Sequence, residues 1–158
     1  LIETSIKNNW YSKAFTDYKG VTFQYKDVAR KVEKIHIVFE QVGIQRGDKI
    51  AICGKNSANW STAFLAITTY GAVAVPILHE FKSDQVHNIV NHSDAKILFV
   101  GQQVWENLNE ESMPSLIGIC NITDWTLPIS RNEGLTNAVE HLNEYFCHKF
   151  PCRFHLKM

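Results

Sequence analysis

The chain has 158 residues, 16 Lys+Arg against 16 Asp+Glu, and 45% hydrophobic residues. Balanced charge argues against non-specific nucleic-acid binding, which requires a clustered basic face. The longest apolar runs reach about half the ~20 residues of a membrane-crossing helix, which excludes a transmembrane segment.

A chain of this length can bury about 70% of its unfolded surface, so one α/β domain over residues 1–158 with a core of its own is expected. The opening "LIETSIKNNW" has no basic stretch followed by an apolar one, so a cytoplasmic location is expected, with a peripheral membrane contact left open. Without an initiator methionine, a few residues before Leu1 are expected to be missing.

In chain order, Val28, Val32, Ile35, Phe39 and Val42 recur at spacings of three and four, which predicts a helix over 26–42 closed by Gly43. A turn at "GDK" leads to a short strand over 49–53. Asn56 or Ser57 then caps a helix running to Tyr70, with Trp60, Phe64, Leu65, Ile67 and Tyr70 on more than one face, so it is expected to be largely buried. Gly71 ends it. The continuous run "AVAVPI" predicts a strand covered on both faces, as parallel sheets require.

Ser83 is the expected cap of a short helix with Val86, Ile89 and Val90 on its stripe, and "AKILFV" over 95–100 is the next buried strand. "SLIGICNI" over 115–122 predicts a fourth strand, and Leu135, Val139, Leu142 and Phe146 predict a last helix over 135–146. Strands alternating with helices predict a mostly parallel sheet with helices on both faces.

Cys53 and Cys120 lie in apolar runs and read as reduced, buried thiols. The tail "YFCHKFPCRFH" holds Cys147, His148, Cys152 and His155, which could supply zinc ligands, but its aromatic residues favour packing. No metal site is therefore expected.

The glycines fit neither a dinucleotide loop nor a phosphate loop: Gly54 is followed by Lys55-Asn56-Ser57, without G-x-G-x-x-G or G-K-[ST]. Gly43, Gly47, Gly54 and Gly71 are expected to be turn and cap glycines. Lys55, Asn56 and Ser57 are weak substrate-binding candidates, because they follow a parallel strand at its carboxyl end, where open sheets bind ligands. His87 and His92 are five apart and fall on different helix faces, and Glu110 and Glu111 read as solvated. Ser57, Ser61 and Ser93 lack a nucleophile elbow.

The stretch "GIQRGDKIAICGKNSANWSTAFLAITTYGAVAVPI" closely resembles the early part of the adenylate-forming, AMP-binding enzymes. Gly43, Ile44, Gly47, Asp48, Ile50, Ala51, Asn56, Ser57, Trp60, Gly71, Ala72, Val73, Val75 and Pro76 match that pattern, and Tyr25, Asp27 and Val28 match the preceding helix start. The resemblance spans about 21–101, and "MPSLIGICNITDW" is most similar to the long-chain fatty acyl-CoA synthetases. Gln24 stands where the family has Thr or Ser, a loss expected to cost about 1 kcal/mol of capping.

The family's Ser/Thr/Gly-rich phosphate loop, its adenine-contacting segment, its ribose-binding aspartate and its C-terminal lysine have no counterpart in this sequence. The resemblance thus implies the N-terminal portion of a synthetase, with no catalytic residue in this chain. The complete enzyme would use ATP, Mg2+ and CoA to activate a fatty acid; none is expected to bind this portion tightly. Two readings stay open: an aryl- or amino-acid-adenylating ligase, and a stand-alone α/β binding or regulatory module. Self-association through an exposed apolar face is expected of such a portion.

Overall fold

The computed structural model describes residues 1–151. The chain opens with α1 (Ile2–Asn8) and an antiparallel hairpin of β1 (Lys13–Thr16) and β2 (Thr22–Gln24). Then come α2 (Tyr25–Val42), β3 (Lys49–Cys53), α3 (Ala58–Tyr70), β4 (Val73–Ile77), α4 (Ser83–Ser93) and β5 (Ile97–Val100). A short α5 (Gln102–Trp105) and a 3-10 turn at Glu110–Ser112 lead to β6 (Gly118–Asn121), β7 (Thr126–Ser130), α6 (Glu133–Glu140) and α7 (Leu142–Lys149).

The main sheet has five strands in the order β4-β3-β5-β6-β7. The first four are parallel, and β7 returns antiparallel to β6. Successive residues of a strand face opposite sides. Ile50, Ile52, Ile97 and Phe99 therefore pack beneath α2 and α3, while Ala51, Cys53, Leu98 and Val100 pack against Val86 and Val90 of α4 and the Met113–Leu116 loop. Helices cover both faces. Each isoleucine buried this completely contributes about 1.5–3 kcal/mol.

The turns explain the pattern between Gly43 and Pro76. Gly43, Gly47 and Gly71 have φ of 77°, 88° and 94°, a left-handed region that side chains disfavour. Gly47 N–H donates to Gly71 O at 2.9 Å, which joins the turn before β3 to the turn before β4. Asp48 Oδ2 accepts from Gln45 N–H and from Lys96 Nζ, both at 2.7 Å.

Gly54 departs from the turn reading, since its φ is not positive. A Cβ there would sit 3.2 Å from Gly101 N, so the glycine serves the close approach of two strand ends. Gly118 plays a similar part, because a Cβ would clash with Leu135 Cδ2 of α6.

The helix α3 is largely buried, as expected, and three further expectations are corrected. In α3 the fully covered positions are Ala58, Thr62, Ala63, Ala66 and Ile67, and the bulky Trp60, Phe64, Leu65 and Tyr70 sit half-buried around them. Close packing of α3 on α2 favours the small residues at the contact. The strand β4 is an edge, with Val73 and Pro76 exposed, not a strand covered on both faces. Lys82, rather than Ser83, occupies the cap position of α4, and Lys82 N–H donates to Gln85 Oε1 at 3.0 Å. The last helix breaks at His141 into α6 and α7. Gln24 keeps half of the capping arrangement, since its N–H donates to Asp27 Oδ2 at 2.9 Å.

Candidate functional site

At the carboxyl ends of β3, β5 and β6 the sheet opens into a cleft of about 540 Å³. Its position follows from the connections: the chain leaves β3 toward β4 and then crosses back to β5 on the other side, and ligands of open α/β sheets occupy such crevices. Gly54 and Gly101 bring two backbones together beside it.

Most polar groups around the cleft are already engaged. Ser57 Oγ accepts from Trp60 N–H at 3.0 Å and caps α3. Asp17, carried by the β1–β2 turn, accepts from Ala58 N–H at 2.6 Å. Asn59 donates to Ile122 O at 2.7 Å and accepts from the Trp125 indole N–H at 3.1 Å, so both ends of its amide stitch α3 to the end of β6.

On the opposite wall Gln102 N–H donates to Thr123 Oγ1 at 3.0 Å, Thr123 N–H donates to Asn121 Oδ1 at 2.9 Å, and the Asn121 amide donates to Gln102 Oε1. His79 faces Glu80 at 3.3 Å.

Of the three sequence candidates, Lys55 and Ser57 line the cleft, whereas Asn56 is exposed and does not. Ser57 is a cap. Lys55 is exposed and has no hydrogen bond or ion pair among the described residues, so its ammonium is available to an anion. Asp17, Asn59, Gln102 and Thr123 were missed by sequence reasoning. They come from four separate segments, and only the "TDYKG" turn containing Asp17 carried a local signal, that of a turn.

These groups brace the walls of a crevice and hold no nucleophile-base pair. One lysine does not make a triphosphate cradle, and among the described residues no three His, Cys, Asp or Glu side chains are placed to hold a metal ion. The cleft therefore does not fit ATP with Mg2+ from its own residues. Cys147 and His148 lie on α7, and the remaining zinc candidates, Cys152 and His155, lie outside the described residues. His87 Nε2 accepts from Asn109 N–H at 3.1 Å, a structural contact.

Parallel strands under helices on both faces, with a braced crevice at the strand ends, define an open, mostly parallel α/β scaffold. The AMP-binding enzyme family model matches residues 3–143, and the chain belongs to that family. YdaB of Bacillus subtilis (strain 168), named as an acyl–CoA ligase, is 32% identical over 99 residues, which are 63% of this chain and 20% of that protein. Long-chain fatty acid transport protein 6 of Mus musculus is 24% identical over 132 residues, 83% of this chain and 21% of that protein.

Among solved structures, an anthranilate CoA ligase in complex with anthranoyl-AMP superposes with a TM-score of 0.72 at 20% identity, covering 86% of this chain and 26% of the other. A long-chain-fatty-acid-CoA ligase from Archaeoglobus fulgidus superposes with a TM-score of 0.66 at 17% identity, covering 78% and 28%. The mostly parallel sheet is thus that of the N-terminal subdomain of adenylate-forming enzymes. The chain spans about a fifth of the length of the curated relatives it matches.

Proposed function

We propose that this chain is the N-terminal portion of a long-chain fatty acid–CoA ligase. In the whole protein the fatty carboxylate would attack the α-phosphorus of ATP, giving an acyl-adenylate and pyrophosphate. The CoA thiol would then displace AMP, its proton leaving with the products. ATP, Mg2+ and the reacting acid would be held mainly by residues outside this chain, since the cleft contributes one uncommitted lysine.

The observation that carries this reading is the Gly43–Pro76 segment, whose matching residues build the turns at the amino ends of β3 and β4, while Ser57 caps α3 at the crevice at their carboxyl ends. The fatty-acid class is supported by the names of the mouse protein and the archaeal ligase. Cytoplasmic location is part of the same proposal; no helix among the described residues is long and apolar enough to cross a membrane.

The test is acid-dependent exchange of pyrophosphate into ATP, run on the native protein carrying this chain and on the isolated 158 residues. Exchange with palmitate by the native protein, and none by the isolated chain, is expected. Exchange with an aryl or amino acid instead would replace the substrate class, and exchange by the isolated chain would overturn the placement of the catalytic residues. An antibody to this region is expected to detect a native species several times heavier than 18.1 kDa. A species of that mass alone would favour a stand-alone binding module.

A further inference from the structure

A second cavity, of about 240 Å³, lies between α2, the sheet and the α6–α7 pair, and it shares no lining residue with the cleft. On α2, Lys31, Lys34, Ile35 and Val38 fall at helical spacing on one side of it. Phe99 and Trp125 form part of the opposite wall, with Val139 and Leu142 beyond. Apart from Lys31, Lys34, the Cys120 thiol and the Trp125 indole, every lining side chain is aliphatic or phenyl. The indole N–H is already donated to Asn59.

The two ammonium groups are unusually placed. Lys31 Nζ stands 5.1 Å from the Phe23 ring and 5.3 Å from the Trp125 ring, and forms no ion pair or hydrogen bond among the described residues. Lys34 Nζ donates to Asn143 Oδ1 at 2.9 Å and lies 5.4 Å from the Phe146 ring. Burial first, and the like charge of Lys34 second, lower the pKa of Lys31, with Asp27 opposing. A half-buried cation beside a second one, above an apolar hollow, is complementary to an anion with a hydrocarbon tail.

We propose that this cavity is a binding site for a small amphipathic monocarboxylate, with its hydrocarbon part against Phe99 and Trp125 and its carboxylate between Lys31 and Lys34. At about 30 Å³ per water-sized group, the cavity takes a hydrocarbon part of about eight non-hydrogen atoms, the size of a medium-chain or aryl acid. This site is separate from the one that would react: the ligase reading places the reacting acid elsewhere in the protein.

The test is titration of the purified 158-residue chain with octanoate, followed by calorimetry and by 1H–15N spectra that also report folding. Saturable binding is expected, with a shift of the Trp125 indole signal. Octanamide, which keeps the tail and lacks the charge, is expected to bind about tenfold more weakly or worse, as is the Lys31→Gln, Lys34→Gln double variant. Val139→Phe should abolish binding by filling the hollow; if that variant fails to fold, the lysine variants still decide. No octanoate binding up to its solubility limit, or equal binding of octanamide, overturns the proposal. Neither result bears on pyrophosphate exchange, so the ligase reading stands or falls separately.

Discussion

Asp48 stands at the start of the sheet, where its carboxylate holds Gln45 N–H and Lys96 Nζ and so ties the turn before β3 to the residue before β5. The hydrogen bond from Lys96, then that from Gln45, keeps its pKa below the ordinary 3.8. A lowered carboxyl pKa contributes stability that is present above the unfolded value and lost as pH falls through the folded one. Asp48→Asn is therefore expected to cost about 1 kcal/mol at pH 7, a modest figure because the ion pair is partly solvated. Urea denaturation should show that difference closing as the pH falls below 3.8.

The thiols behave oppositely. Burial first, and a nearby acid second, push Cys53 up to about 11 and Cys120 up to about 12, from an ordinary value of 9.0. Their contribution is whole below pH 9.0 and erodes as the pH rises through 11 and 12. Iodoacetamide at pH 8 is expected to spare Cys53, which is fully buried, in the folded chain and to modify it in urea, which mass spectrometry of tryptic peptides would read, whereas Cys120 is half-buried and lines a cavity.

Among the elements, α3 has the most exacting start. Ser57 accepts from Trp60 N–H while Asp17 accepts from Ala58 N–H, so two acceptors from distant parts of the chain satisfy its first amides. Ser57→Ala is expected to cost about 1 kcal/mol in thermal denaturation, with Asp17 limiting the loss.

Elements with a strong period were legible in the sequence: α2, α4, β3, β5 and β6 stand within a few residues of their expected spans. The β1–β2 hairpin was not, because strands of four and three residues with partial burial carry neither an alternating nor a continuous apolar signal. The strand β7 escaped for a related reason, being interrupted by Pro128. The edge position of β4 could not be read at all, since strand order is set by crossovers between segments far apart in sequence. The cleft shared that limit. Lys55 and Ser57 were found from their place after a strand, whereas Asp17, Asn59, Gln102 and Thr123 reach it only through the fold.

For the molecule as a whole, the exposed apolar side chains lie apart: Leu1, Ile2, Tyr11, Tyr18 and Val21 near the amino end, Val73, Leu78 and Phe81 on or just after β4. Phe81 also lines the cleft. Light scattering of the isolated chain is expected to show self-association that Leu78→Lys with Phe81→Lys reduces. An unchanged mass distribution would remove this flank from consideration.

The two outermost strands each carry an exposed proline, Pro76 in β4 and Pro128 in β7, while β3, β5 and β6 carry none. A proline offers an arriving strand no amide hydrogen, and sheets tolerate it at their margins. The sheet is thus a finite ribbon with a stop at either border, poorly suited to templating fibres from its own copies.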